Sequence, residues 1–237
     1  MSHAPSSVPA TTGGPQGLAG AAAPGPAAAP APDAPSTLRR AYGLRAPDAI
    51  AAARTALVLV DVQREFIDGR LRVPDAAGAV AHARRLLAWA RTTGVQVVFV
   101  RQEAAAPGAP LFARGSRGAE LADGLVPRPD ELVVVKTAAG AFSNTTLHAT
   151  LHARGIELLV LAGMMTHLAV DTTARDGTVL GYRVVIAADA TATRSLPGPR
   201  GDGVIDHATL QRVALAALAD RFADVLTTDE IVALPGR

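Results

Sequence analysis

Two ionisable residues of opposite charge each follow a short apolar run of this sequence. Asp61 comes directly after residues 56–60 (ALVLV), and Lys136 ends residues 131–136 (ELVVVK). Such runs are typical of parallel strands that are buried on both faces. Because the carboxyl ends of parallel strands meet at one edge of a sheet, we expect Asp61 and Lys136 to lie at a common ligand-binding edge. There a carboxyl group can act as a general acid or base.

A third segment, residues 157–181, has the pattern of a strand followed by a helix. Residues 158–161 (LLVL) are apolar, Ala162 and Gly163 form a small-residue turn, and a helical pattern runs from about Thr166 to Leu180. The first N–H groups of a helix have no partner within the helix and can bind a ligand. We therefore expect this corner to face the same edge of the sheet.

Each of these residues also has an ordinary structural explanation. Asp61 suits a helix N-cap or a loop, and a lysine at the end of a strand commonly reaches solvent along its apolar stem. His148 and His152 have the i, i+4 spacing of a metal pair, but no third ligand is visible, which favours two solvated histidines.

The three segments together resemble the isochorismatase-like cysteine hydrolases. LVDVQREF, with Asp61 and Gln63, is similar to their Asp-x-Gln-x-x-Phe motif, and Lys136 is followed by Gly140-Ala141-Phe142 as in the family. The corner is similar to Gly-x-x-Thr-x-x-Cys-Val followed by Thr-Ala/Thr-Arg. Its matching residues are Gly163, Thr166, Val170, Thr172, Thr173, Ala174 and Arg175. Ala169 stands at the cysteine position, and the 237 residues include no cysteine.

The resemblance implies a catalytic set formed by Asp61, Lys136 and position 169. With a thiol at 169, the lysine would favour the thiolate and the aspartate would transfer the proton. The implied oxyanion site uses backbone N–H groups of Met165, Thr166 and Ala169, with a cis peptide bond between Met165 and Thr166. The implied substrate contacts are Gln63, Phe66, Gln102, Phe142 and His167.

Three interpretations of Ala169 follow. In the first, the parent enzyme hydrolyses a C–N bond, amide or ureide-like, and this chain is a Cys-to-Ala form that cannot carry out thiol chemistry. In the second, alanine is native and Asp61 protonates a vinyl ether, which water then hydrolyses without a cysteine. Arg64, Arg101 and Arg175 are the few candidates to recognise a dicarboxylate there. In the third, the protein binds a small molecule without catalysis.

Strands that alternate with helices predict an α/β fold, a three-layer αβα domain with a six-stranded, mostly parallel, doubly wound sheet. We expect the strands at residues 56–60, 95–100, 131–136, 158–161, 183–187 and 225–226. The first 36 residues are rich in Ala, Pro and Gly and predict a disordered tail. The domain is expected at residues 37–237.

Composition excludes several partner classes. A net charge of +2 and 3% aromatic residues do not suggest nucleic-acid binding, and no apolar run is long enough to span a membrane. Residues 101–121 contain neither His nor Asp, so we expect no metal. The N-terminus does not suggest secretion, which favours the cytoplasm. The family resemblance implies no cofactor, a small-molecule substrate and a homo-oligomer, either a dimer or a tetramer.

Overall fold

The computed structural model describes Met1 and residues 35–236, and from Ser36 onward these form one compact unit. The expected disordered tail lies almost wholly outside the described residues. The unit begins with a short helix, α1 (Leu38–Ala41), in which the side chain of Thr37 caps the N-terminus by accepting from the N–H of Arg40.

A six-stranded parallel sheet forms the centre of this unit. Its strands are β1 (Thr55–Val60), β2 (Gln96–Gln102), β3 (Leu132–Lys136), β4 (Leu158–Met164), β5 (Arg183–Ala192) and β8 (Asp224–Leu226). Their order across the sheet is β3-β2-β1-β4-β5-β8, and every neighbouring pair is parallel. Both β1 and β4 are buried along their whole length, which agrees with their uninterrupted apolar sequences. The predicted doubly wound sheet is confirmed.

Helices cover both faces of the sheet and complete the three layers. On one face, α2 (Ala76–Thr93) and α6 (Thr228–Ala233) pack on a core that includes Leu57, Phe99 and Val160. On the other face, α3 (Leu147–Ala153), α4 (Asp171–Val179) and α5 (His207–Arg221) pack on a core that includes Val58 and Leu161. The strand order reverses direction next to β1, so the carboxyl ends of β1, β2 and β4 border the place where such folds bind ligands.

Residues with known capping chemistry set several helix ends. Gly94 ends α2 in the left-handed conformation, with φ of 78°, which glycine commonly adopts after the last helical residue. The side chain of Asp206 accepts from the N–H of Thr209 at the start of α5. Thr227 and Glu230 form a capping box at the start of α6.

One predicted strand boundary differs from the structure. The fifth strand continues to Ala192 rather than stopping at residue 187, through a register shift against β4 between Leu161 and Gly163. The third helix begins at Leu147, and Thr146 occupies its N-cap position without a capping hydrogen bond from its side chain. The turn-rich segment after residue 194 contains a small antiparallel pair, β6 (Leu196–Pro197) and β7 (Val204–Ile205).

Candidate active site

The ends of β1 and β3 bring Asp61 and Lys136 together. Lys136 Nζ lies 2.7 Å from Asp61 Oδ2, and both side chains are almost completely buried. Asp61 immediately follows β1, and its φ of 50° turns the chain away from the sheet. Aspartate is one of the few residues other than glycine that tolerates this left-handed conformation. The expectation that strands distant in sequence would join these two groups agrees with the geometry.

All three protons of the Lys136 ammonium are used within the protein. Besides Asp61, the ammonium donates to Gln102 Oε1 at 2.9 Å and to the carbonyl oxygen of Ala138 at 3.0 Å. An ammonium has three donors and no acceptor. Lys136 is therefore held rigidly and serves as a fixed positive charge beside Asp61.

The Asp61 carboxyl group is partly unpaired. Its Oδ1 is buried and has no hydrogen-bond partner among the described residues. Burial raises the pKa of Asp61 to about 6, and the positive charge and hydrogen bond of Lys136 limit that rise. A carboxyl group with this pKa exchanges a proton close to neutral pH, as general acid–base catalysis requires.

The β4 corner contributes Ala169. After β4, residues Thr166–Val170 form one π-helical turn that leads directly into α4, so the predicted single helix has two parts. Thr173 fixes this turn by donating to the carbonyl oxygen of Ala169 at 2.6 Å, and its hydroxyl accepts from the N–H of Ala141 at 3.0 Å. The corner is thereby tied to the segment that follows Lys136.

The cis peptide bond lies one residue earlier than the resemblance implied. It joins Met164 and Met165, not Met165 and Thr166. The N–H groups of Leu168 and Val170 both donate to the carbonyl oxygen of Met165. These two groups therefore do not provide an oxyanion site, and the N–H groups of Met165, Thr166 and Ala169 remain the predicted donors.

Asp61, Lys136 and Ala169 line one cavity of about 310 Å³. Of the expected substrate contacts, Phe66 and Gln102 also line it, as does Met165. Six further lining residues were not predicted from the sequence. Three are large and apolar and three are small or polar: Leu71, Leu111 and Phe112, and Thr137, Ala138 and Ala139. Leu168, whose side chain is about half exposed, is the last lining residue.

Gln63 is not a lining residue of this cavity. Its side chain is fully buried, and its Nε2 donates to the carbonyl oxygens of Gln102 and Ala119, both at 2.9 Å. Its Oε1 accepts from the N–H of Gln102 at 2.8 Å. The role of Gln63 as a substrate contact is therefore corrected: the side chain holds the loop after β2 in place.

Phe142 and His167 also lie outside the cavity lining. Phe142 stacks on Tyr182, with ring centroids 5.8 Å apart, and packs against the same hydrophobic core as Val58 and Leu161. His167 Nδ1 is hydrogen-bonded to Thr193 Oγ1. Burial and the nearby Arg194 lower the pKa of His167, which favours the neutral ring. The π-helical turn presents Leu168 and Ala169 to the cavity instead.

The two histidines of α3 do not form a metal pair free of other contacts. His148 Nδ1 lies 2.9 Å from the Tyr182 hydroxyl, so one ring of the His148 and His152 pair already has a protein partner. The described residues contain no group of three or more His, Cys, Asp or Glu side chains that could hold a metal ion.

Within residues 35–236, no helix has the length and apolar character needed to cross a membrane.

A comparison with models of known families identifies the family of this chain. The family model for the isochorismatase domain matches residues 55–230, which include all three strand ends of the site. The chain belongs to the isochorismatase family of hydrolases. The matched region of this isochorismatase-family chain starts at the first residue of β1 and ends within α6.

Similar proteins in the isochorismatase family have different described activities. The secreted isochorismatase effector Isc1 of Verticillium dahliae is 36% identical over 185 residues, covering 78% of this chain and 94% of that protein. The ureidoacrylate amidohydrolase RutB of Variovorax paradoxus is 31% identical over 220 residues, with coverage of 78% and 83%. The crystal structure of a cysteine hydrolase from Pseudomonas syringae pv. phaseolicola is 31% identical, with a TM-score of 0.73 and coverage of 77% and 92%.

Proposed function

We propose that this site is built to hydrolyse a C–N bond, amide or ureide-like, in a small molecule, and that Ala169 prevents the covalent step in this chain. The observation that carries the proposal is the buried contact of 2.7 Å between Lys136 and Asp61 at the wall of a cavity that Ala169 also lines. The similar amidohydrolase and cysteine hydrolase support the same class of chemistry.

With cysteine at 169, each group would have a distinct role. The fixed Lys136 charge would lower the pKa of the thiol, and Asp61 would accept the thiol proton. The thiolate would then attack the carbonyl carbon, with the oxyanion held by backbone N–H groups of the β4 corner. Asp61 would pass its proton to the leaving amine, and water would hydrolyse the thioester. Alanine has no lone pair with which to begin this sequence.

The decisive experiment compares Ala169→Cys with the unchanged chain on a small aryl amide such as 4-methylbenzamide. We expect the cysteine variant to increase hydrolysis by at least about 100-fold and to show an acyl adduct in the intact protein mass. Ala169→Ser is the matched control, because its hydroxyl has a similar size but remains protonated. No adduct and no increase in the cysteine variant would refute the proposed function.

A second candidate is vinyl ether hydrolysis without a nucleophile, and the Asp61 carboxyl specifically favours it. The pKa of about 6 and the unpaired Oδ1 suit a group that donates a proton to a substrate carbon. Under this hypothesis the unchanged chain hydrolyses phenyl vinyl ether, Ala169→Cys has little effect, and Asp61→Asn abolishes the activity. Binding without turnover in every form would instead identify a non-catalytic binding protein.

The oligomeric state and the cellular location are still predictions from the sequence. A dimeric or tetrameric assembly is still expected from the resemblance and can be measured by analytical ultracentrifugation. The cytoplasmic location is also a prediction, and one of the similar proteins is described as secreted.

A further inference from the structure

The charged side chains on the cavity wall determine which substrate charges the cavity can bind. Only two charged residues, Asp61 and Lys136, occur among the described residues that line it. Their charges are opposite and in direct contact, so the ionised pair contributes little net attraction for either an anion or a cation. Lys136 also has no proton left to donate to a substrate carboxylate, because its three donors are already bound inside the protein.

The arginines that could have recognised a carboxylate are paired elsewhere. Arg64 contacts both Asp68 and Asp123, and Arg101 Nη2 lies 2.8 Å from Glu103 Oε1. None of the described lining residues is an arginine or a histidine.

Arg175 is held in the same way, on the α4 side of the site. Its Nε lies 2.7 Å from Asp171 Oδ2, and its guanidinium stacks over the ring of Phe222. The third candidate for carboxylate recognition is therefore also outside the cavity.

Apart from the uncharged polar residues Gln102 and Thr137, the rest of the wall is apolar and includes an aromatic corner. The rings of Phe66 and Phe112 lie edge to face, with centroids 5.3 Å apart. Leu71, Leu111 and Leu168 extend this apolar surface. A charged group buried against such a surface would lose its hydration without gaining a partner, whereas an apolar ring would gain contacts.

The geometry points to an uncharged substrate, with a planar or branched apolar group against Phe66 and Phe112 and its reacting polar group at Asp61. This inference rests on the proposed function for the identity of the reacting group. It excludes dicarboxylates and amides with a distal carboxylate as good ligands of this chain. The charge preference itself depends only on the cavity wall.

Isothermal titration calorimetry on the unchanged chain at pH 7.5 tests this preference without any turnover. The probes are 4-methylbenzamide and 4-carboxybenzamide, which differ in charge at the end distant from the amide. We expect the neutral probe to bind at least about tenfold more tightly. Equal affinity, tighter binding of the carboxylate, or no binding of the neutral probe would overturn the inference.

A variant of the wall provides a second test. Leu111→Arg places a cation on the cavity wall and should reverse the preference by strengthening binding of 4-carboxybenzamide, while Leu111→Gln should not. Arg101→Gln, outside the cavity, should leave both affinities unchanged. A loss of carboxylate binding in Arg101→Gln would show that an arginine reaches the ligand and would contradict the inference. If the neutral probe binds but Ala169→Cys gains no activity, the proposed function fails and the charge preference stands.

Discussion

Gln63 and Gln102 bind each other reciprocally across the ends of β1 and β2. The N–H of Gln102 donates to Gln63 Oε1, and Gln63 Nε2 donates back to the carbonyl oxygen of Gln102. The side chain of Gln102 then accepts from Lys136 Nζ. A buried amide outside the cavity lining is thus linked through one residue to the charge beside Asp61.

Replacing Gln63 by methionine should destabilise the protein by about 2–5 kcal/mol. The substitution keeps the side-chain volume but leaves three backbone groups without their partner: the N–H and C=O of Gln102 and the C=O of Ala119. A fully buried unsatisfied group costs about 1–3 kcal/mol, and the two groups of Gln102 should cost less because they are only partly buried. Urea unfolding measures the change. Gln96→Met is the matched control. Its side chain also makes hydrogen bonds, to Arg154 and to the carbonyl oxygen of Val97, but at a partly exposed site where water can replace them, so no more than about 1 kcal/mol should be lost.

The raised pKa of Asp61 predicts how stability changes with pH. The folded state binds this proton up to about pH 6, whereas the ordinary pKa of an aspartate, which applies in the unfolded chain, is 3.8. Between these values the folded state holds more protons than the unfolded state, so stability falls as pH rises through the interval. The contribution of Asp61 should decrease by about 2–3 kcal/mol from pH 4 to pH 6.5, at about 1.4 kcal/mol per pKa unit. Asp61→Asn should lack this component, and parallel stability curves would contradict the assignment.

The same pKa separates the two candidate reactions. Amide hydrolysis by Ala169→Cys requires the Asp61 carboxylate, so its rate should rise with pH through about 6 and then level off. Vinyl ether hydrolysis requires the protonated acid, so its rate should fall above about pH 6. Initial rates from pH 4.5 to 8 measure both profiles. A rate independent of pH in both reactions would remove Asp61 from proton transfer.

The sequence predicted the strand ends that meet at the candidate site better than the cavity walls around them. Asp61 and Lys136 follow apolar strands, and strand ends in a parallel sheet have only one edge on which to meet. Phe112 gave no such signal, because it lies in a long loop without periodicity and its place depends on packing against Phe66. Loop contacts of this kind are set by tertiary structure and have no local pattern.

Motif position alone also led to a wrong prediction of substrate contacts for Gln63 and Phe142. Gln63 and Phe142 both belong to segments that resemble the family, but the resemblance does not state on which side of the chain each side chain lies. The backbone turn at Asp61, with φ of 50°, is what separates the environments of Asp61 and Gln63. Similarly, the register shift between Leu161 and Gly163 extends β5 past the end that its apolar run suggested.

Phe112→Leu should weaken binding of 4-methylbenzamide by about three- to tenfold. The leucine keeps an apolar wall but removes the edge-to-face contact with Phe66 and the aromatic surface offered to the ligand, which is worth about 0.5–1.5 kcal/mol. Calorimetry measures the change. Phe142→Leu removes a ring that stacks on Tyr182 outside the cavity and should leave the affinity unaltered. A comparable loss in that control would place Phe142 at the ligand after all.

Gly163→Ala should be the most damaging small substitution near the site. Gly163 pairs with Val60 in adjacent strands, has φ of 135°, and has no room for a side chain, because a Cβ there would overlap the carbonyl oxygen of Val60. We expect a loss of more than about 3 kcal/mol, from the unfavourable φ together with displacement of β1 immediately before Asp61. Gly181→Ala is the matched control. Its φ of 93° is also unfavourable for alanine, but its Cβ would meet nothing within 4 Å, so only about 1–2 kcal/mol should be lost. Thermal and urea unfolding of both variants measure the difference, and equal losses would mean that backbone strain, and not the contact with Val60, dictates glycine at the β4 corner.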